Sequence, residues 1–135
     1  MAVVLLVDDD PDSSEVVCRF LRRAGHRVTW KQNGHEALSA LSNDTPDVVI
    51  LDARMPEMDG IGFLEVIRCY LRWQTLPVIL FTAYAEGTHI RRAIELGVRK
   101  TLVKGQCKFE ELLAHIETCA KPLPRSQPES HLRLN

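Results

Sequence analysis

Short apolar runs alternate along this chain with longer segments that have helical periodicity. The strongest runs occupy positions 3–7, 48–51 and 78–81, and weaker ones lie near 27–30 and 100–103. Their length and composition are typical of β-strands, and the continuously apolar ones are typical of strands buried on both faces. Because a helical segment separates each run from the next, the pattern predicts five β–α units, with a parallel sheet and helices on both faces.

Helix-terminal signals accompany the helical segments. Asp12 with Glu15, and Asn33 with Glu36, have the spacing of capping boxes, and Gly25 suits a helix C-terminus. Asp10 is the alternative cap for the first helix. The apolar positions that define the predicted helical faces are, in chain order, Val16, Val17, Phe20, Leu21, Ala24, Ile61, Leu64, Ile67, Leu71, Ile90, Ala93, Ile94, Leu112, Leu113 and Ile116.

Composition and charge exclude several classes of protein. With 135 residues and a net charge of −1, the chain offers one domain and no field that would attract nucleic acid or an anionic membrane. The apolar runs are too short to span a bilayer, and the N-terminus lacks the basic region of a secretory signal. The cysteines form no C-x-x-C pair, so we expect reduced thiols and a cytoplasmic location. Histidines are expected at the surface, and both tryptophans are expected to serve in packing.

The composition changes near position 121. Three prolines and polar neighbours follow, which is typical of a linker or a disordered tail. We therefore divide the chain into a domain at 1–120 and a proline-containing tail at 121–135.

Polar residues follow four of the predicted strands, and these are the candidate site. Asp8 and Asp9 end the first run, Asp52 the third, Thr82 the fourth and Lys104 the fifth. Parallel strands present their carboxyl ends at one edge of the sheet, where ligands bind. Three acids at one edge repel one another unless a cation lies among them. Each residue alone also has a structural interpretation, as a helix cap, a strand-end hydroxyl or a solvated lysine.

The run D-x-x-M-P-x-M-D-G at positions 52–60 lies among these strand ends. With it, the chain over about residues 2–120 resembles the receiver domain of two-component response regulators, and is similar to the stand-alone chemotaxis regulator. The resemblance implies a doubly wound, flavodoxin-like sheet with strand order 2-1-3-4-5. It also implies a phosphoacceptor signalling domain in a phosphorelay, which catalyses only its own phosphorylation and dephosphorylation.

The resemblance implies a role for each strand-end residue. Asp52 would accept a phosphoryl group from a phosphohistidine. Asp9 and Asp52 would bind Mg²⁺ directly, Asp8 would act through water or a second contact, and the Arg54 carbonyl would complete the ligands. Of the remaining site residues, Lys104 would contact one phosphoryl oxygen, and Thr82 would donate its hydroxyl to another.

The implied partners are proteins. A histidine kinase or a histidine phosphotransfer protein would supply the phosphoryl group. A downstream effector, or an output domain outside this chain, would read the phosphorylated state, and a phosphorylation-dependent homodimer is a further option. The resemblance implies neither nucleic-acid binding by this domain nor contact with a membrane.

Two positions depart from the family pattern. Receivers usually follow the lysine with a proline in a cis peptide, but Gly105 follows Lys104 here. A cis bond at a non-proline residue costs about 3 kcal/mol, so we predict a trans bond or a remodelled loop. Thr101 stands where receivers usually carry an aromatic residue. We hypothesise that Tyr84 takes over part of the signal readout, or that the switch is altered.

Two other classes share parts of the pattern. A phosphohydrolase of the haloacid-dehalogenase type would use the D-x-D spacing of Asp8 and Asp10, but it needs an acidic pair soon after the lysine. Only Glu110 and Glu111 follow, in a predicted helix, and Asp52 would have no role. A flavodoxin-like flavin carrier needs a cradle of backbone amides for phosphate, which the acids after the first strand would repel.

Overall fold

A computed structural model describes residues 1–55 and 58–120. Five parallel strands form one sheet in the order β2-β1-β3-β4-β5, as the resemblance implied. The strands are β1 (Val3–Val7), β2 (Arg27–Lys31), β3 (Val48–Leu51), β4 (Val78–Thr82) and β5 (Lys100–Val103). The prediction of a tail at 121–135 lies outside the described residues.

Helices cover both faces of the sheet, which confirms the predicted doubly wound α/β fold. The helices are α1 (Pro11–Arg23), α2 (Gly34–Asn43), α3 (Gly60–Arg68), α4 (Thr88–Glu95) and α5 (Phe109–Ala120), with a short 3-10 turn at Leu71–Trp73. One core layer joins the sheet to α2, α3 and α4, and the other joins it to α1 and α5. Among the described residues, no helix combines the length and the apolar character needed to cross a membrane.

The apolar runs form strands because their side chains alternate between the two core layers. In β1, Leu5 and Val7 contact the layer of α2, α3 and α4, whereas Val4 and Leu6 contact the layer of α1 and α5. All four residues of β3 are buried, as expected for a central parallel strand. This double burial explains why the central runs are continuously apolar.

Of the two caps offered for the first helix, the structure uses Asp10 and not Asp12, and the predicted cap of the second helix is confirmed. Asp10 caps α1 in place of Asp12, and its side chain accepts from the Asp12 N–H at 3.1 Å. The physical reason is Pro11, which suits the first helical position because it lacks an N–H there, so the helix begins earlier. In α2, Asn33 accepts from the Glu36 N–H at 2.9 Å.

Four apolar residues of the predicted helical faces are exposed, and one of them is Ala24, which caps the C-terminus of α1. Leu71 lies outside α3 and is 85% exposed, and Val16 and Ile94 are 46% and 61% exposed. The third helix ends at Arg68, whose guanidinium donates to the carbonyls of Trp73, Leu76 and Leu96. These bonds hold the chain in a tight turn after the helix, so the helical periodicity does not continue to Leu71.

The expectation of surface histidines is wrong for His26, which is only 7% exposed. Its Nδ1 accepts a hydrogen bond from the Ala2 N–H at 2.9 Å, before the first strand. Trp73 is buried as a packing residue, as predicted.

Gly60 brings the start of α3 against the backbone of the candidate site. Its N–H donates to the Ala53 carbonyl at 3.1 Å, and Asp59 caps the helix by accepting from the Gly62 N–H at 2.8 Å. A Cβ atom at Gly60 would overlap the Asp52 carbonyl oxygen. The loop that follows Asp52 therefore requires glycine at this position.

Replacing Gly60 with alanine should lower the free energy of unfolding by about 1 to 3 kcal/mol, because the added methyl group must displace the Asp52 backbone. Urea denaturation measures the change. Gly62→Ala is the matched control, since its Cβ would make ordinary contacts at 3.4 and 3.6 Å and alanine favours a helix. Equal stability of the two variants would contradict the close approach.

Candidate functional site

Backbone bonds at the carboxyl edge of the sheet hold three of the candidate site residues. The Asp8 N–H donates to the Lys31 carbonyl at 3.1 Å, and the Asp52 N–H donates to the Val7 carbonyl at 2.9 Å. The Lys104 N–H donates to the carbonyl of Thr82 at 2.8 Å. Each of the three residues that follow a strand thus extends the hydrogen bonding of the sheet.

The Asp52 carboxylate accepts hydrogen bonds from three groups. Its Oδ1 accepts from the Thr82 hydroxyl at 3.0 Å and from the Arg54 N–H at 3.1 Å. Its Oδ2 lies 3.2 Å from the Lys104 Nζ. Asp52 is 7% exposed and Thr82 is 1% exposed, so both side chains are largely shielded from solvent.

Lys104 connects Asp52 with Asp8. Its Nζ lies 2.6 Å from the Asp8 Oδ2, the shorter of its two carboxylate contacts. Burial alone would lower the pKa of Lys104, but the hydrogen bonds and charges of Asp8 and Asp52 outweigh it and raise the pKa. The lysine is therefore a fixed cation at this edge of the sheet.

The Asp8 carboxyl is nearly inaccessible to solvent. Burial raises its pKa above the ordinary value, and the hydrogen bonds from Lys104 and the Asp10 N–H offset only part of this effect. The negative charge on Asp52 raises the pKa of Asp8 further. The ionised form of Asp8 thus needs a nearby cation.

The three strand-end acids come together as a cluster. One carboxylate oxygen from each of Asp8, Asp9 and Asp52 lies within 4.8 Å of the others, with Asp9 exposed and the other two buried. Hard divalent cations bind such oxygen donors, and Mg²⁺ accepts one or two carboxylates while keeping several waters. The donor set therefore fits a magnesium ion.

Arg54 and Tyr84 contact each other at the surface. The Arg54 guanidinium lies 5.1 Å from the centre of the Tyr84 ring, and Tyr84 is 62% exposed. Thr101 pairs with Leu80 in the sheet and is partly buried. The bond between Lys104 and Gly105 is trans, as predicted.

Our sequence reasoning missed a contact of Trp30 with the site. The indole Nε1–H of Trp30 donates to the Asp8 carbonyl at 2.7 Å, from a position at the end of β2. The weak apolar run near 27–30 placed Trp30 at a strand end, but nothing local identified the partner of its N–H.

The comparisons with known proteins agree with this fold. The sequence model described as the response regulator receiver domain matches residues 4–117. The chain belongs to the response regulator receiver family.

One of the relatives is a much longer protein than this chain. It is 35% identical over 133 residues to the DNA-binding transcriptional regulator NtrC of Salmonella typhimurium, covering 98% of this chain and 28% of that protein. The chain thus spans about a quarter of the length of that relative.

Two solved structures share the fold. A signal receiver domain of a Syntrophus aciditrophicus signal transduction histidine kinase aligns with a TM-score of 0.82 at 30% identity, covering 93% of this chain and 94% of that one. The Vibrio cholerae chemotaxis protein CheY4 aligns with a TM-score of 0.80 at 29% identity, covering 88% and 98%.

Asp8→Asn should stabilise the metal-free protein at neutral pH. Because folding raises the pKa of Asp8, wild-type stability falls as the pH rises from the ordinary value of 3.8 through the raised value. The asparagine amide does not ionise, so the variant avoids this loss of stability. At neutral pH in EDTA, its midpoint of unfolding should therefore lie at a higher urea concentration than that of wild type. The difference should shrink toward about pH 3.5.

The exposed Asp44 provides the control, because Asp44→Asn makes the same chemical change on the surface. If wild type became more stable relative to Asp8→Asn as the pH rose, the raised pKa would be contradicted.

Proposed function

We propose that the chain is a phosphoacceptor domain in which Asp52 receives a phosphoryl group from a phosphohistidine. The observation that carries this proposal is the convergence of Thr82, Lys104 and the Arg54 N–H on the Asp52 carboxylate. In the reaction, an Asp52 oxygen forms a bond to phosphorus while the phosphorus–nitrogen bond breaks. The imidazole leaves with the electron pair of that bond.

Asp8, Asp9, Asp52 and the carbonyl of Arg54 would hold Mg²⁺ in this proposal. The acidic cluster supports it, because three carboxylates lie together at one edge of the sheet. When bound, the ion neutralises charge on the carboxylates and on the phosphoryl oxygens. Asp8 contributes through water or a second contact, since its own oxygens also accept from Lys104 and the Asp10 N–H.

Lys104 and Thr82 act on the phosphoryl oxygens. The Lys104 Nζ, 3.2 Å from Asp52 Oδ2, is close enough to pair with an oxygen of a phosphoryl group carried there. The Thr82 hydroxyl donates to Asp52 Oδ1 in the present structure and turns to a phosphoryl oxygen after transfer. This change of acceptor is the first step of the proposed switch.

The domain acts chemically on itself alone. It catalyses its own phosphorylation and its own slow dephosphorylation, and it turns over no diffusible metabolite. The exposed pair of Arg54 and Tyr84 lies beside the acceptor carboxylate and limits the approach of water to the phosphorus.

The partners in this proposal are proteins. A histidine kinase or a histidine phosphotransfer protein supplies the phosphoryl group. An effector, an output domain in a longer protein or a second phosphorylated copy reads the surface of α4, β5 and α5. Tyr84, which is exposed before α4, contributes to that readout in place of the aromatic residue missing at Thr101. The free thiols of all four cysteines support a cytoplasmic location.

The test is the intact mass of the protein after incubation with acetyl phosphate, with and without Mg²⁺. We expect a phosphoryl adduct on wild type that requires Mg²⁺ and is absent from Asp52→Asn. Asp59→Asn is the matched control, because it makes the same change in the same loop and asparagine also caps helices. Its adduct should equal that of wild type.

Two outcomes would contradict the proposal. An adduct that survives Asp52→Asn but disappears in Asp8→Asn would favour the phosphohydrolase chemistry instead. Absence of an adduct with both acetyl phosphate and phosphoramidate, whose phosphorus–nitrogen bond resembles that of phosphohistidine, would contradict phosphoryl acceptance altogether.

A further inference from the structure

A cavity lies between α1 and β2, and none of the three clustered acids lines it. It has a volume of about 670 Å³ and is lined by Pro11, Cys18, Arg19, Arg22, Arg23 and Trp30, with Glu15 at the same wall. This volume falls in the range of sites that bind small molecules.

The inner wall of the cavity is apolar and partly aromatic. Cys18 is 5% exposed. Burial raises the pKa of its thiol, and the nearby charge of Arg22 offsets only part of this increase. The wall therefore carries no thiolate at neutral pH. Trp30 is half-buried, and its bond to the Asp8 carbonyl fixes the plane of the indole ring. A planar ligand ring has a pre-oriented aromatic surface to contact here.

The rim of the cavity is positively charged. Three arginines face one carboxylate, which leaves two net positive charges in a chain whose total charge is −1. Arg19 pairs with Glu15 at 2.8 Å. The Arg22 Nη2 donates to the Val28 carbonyl at 2.8 Å, which holds this guanidinium at the cavity while leaving its other N–H groups for a ligand.

We propose that this cavity binds a small ligand that combines an aromatic ring with an anionic group. The ring contacts Trp30 and the apolar wall, and the anion contacts the arginines. Guanidinium groups favour this chemistry because they pair with anionic oxygens in two-donor geometry and also stack on aromatic rings.

The probe for this site is naphthalene sulfonate, a ring with an anionic group that transfers no phosphoryl. It is titrated into the ¹⁵N-labelled full chain, and the two tryptophan indole N–H signals are followed by NMR. Trp30→Phe assigns the signals. The Trp73 indole, which donates to Thr45 Oγ1 at 3.3 Å, lies outside the cavity and serves as internal reference. We expect a saturable shift of the Trp30 signal alone.

Charge dependence is tested in the ligand and in the protein. Naphthalene methanol, the neutral counterpart, should bind at least about fivefold more weakly than the sulfonate. The double variant Arg19→Gln with Arg23→Gln keeps the anchored Arg22, and it should weaken sulfonate binding by about fivefold or more. Arg91→Gln, an exposed arginine on α4, is the matched control and should bind as wild type does.

The proposal is overturned by any of three results. These are no shift of the Trp30 signal, equal shifts of both indole signals, or an affinity that is unchanged by the neutral ligand and by the double variant. None of them bears on phosphoryl transfer at Asp52, so the two proposals stand or fall separately.

Discussion

The Lys104 ammonium group, held between Asp8 and Asp52, is the interaction on which the acidic edge of this domain depends. Two buried carboxylates so close together would repel each other, and each would lose solvation. The lysine offsets part of both effects through contacts of 2.6 and 3.2 Å. A divalent cation held by the same acids would relieve this repulsion too, and Lys104 would then be available to a phosphoryl group. The resting bridge and the proposed chemistry thus use the same side chain.

The sheet sets the positions of these groups, and this explains why so much of the site was predictable. Parallel strands that end at one edge bring Asp8, Asp52, Thr82 and Lys104 together, although 96 positions separate the first from the last. The apolar runs predicted the bounds of β1 and β3 because double burial demands continuous apolar sequence. The strand order and the individual roles came from the family resemblance, since periodicity carries neither.

Several of the failures follow from side-chain contacts that the periodicity of the sequence does not record. The exposure of Leu71 follows from the bonds of Arg68 to carbonyls beyond the helix, and periodicity records none of these bonds. The burial of His26 follows from its hydrogen bond to the Ala2 N–H, which lies just before β1 and 24 positions away in sequence. The Trp30 indole N–H also bonds to a distant residue, the carbonyl of Asp8. Trp30 was expected to serve only in packing, but this bond makes it part of the site.

The most direct measurement for the central claim is to locate the phosphoryl group by borohydride reduction and peptide sequencing. Borohydride converts an aspartyl phosphate to homoserine and leaves free carboxylates unchanged. The account predicts homoserine at position 52 alone, only after incubation with a phosphodonor and Mg²⁺. Homoserine at position 8 or 9, or a phosphoryl group on a serine, threonine or histidine, would contradict Asp52 as the acceptor.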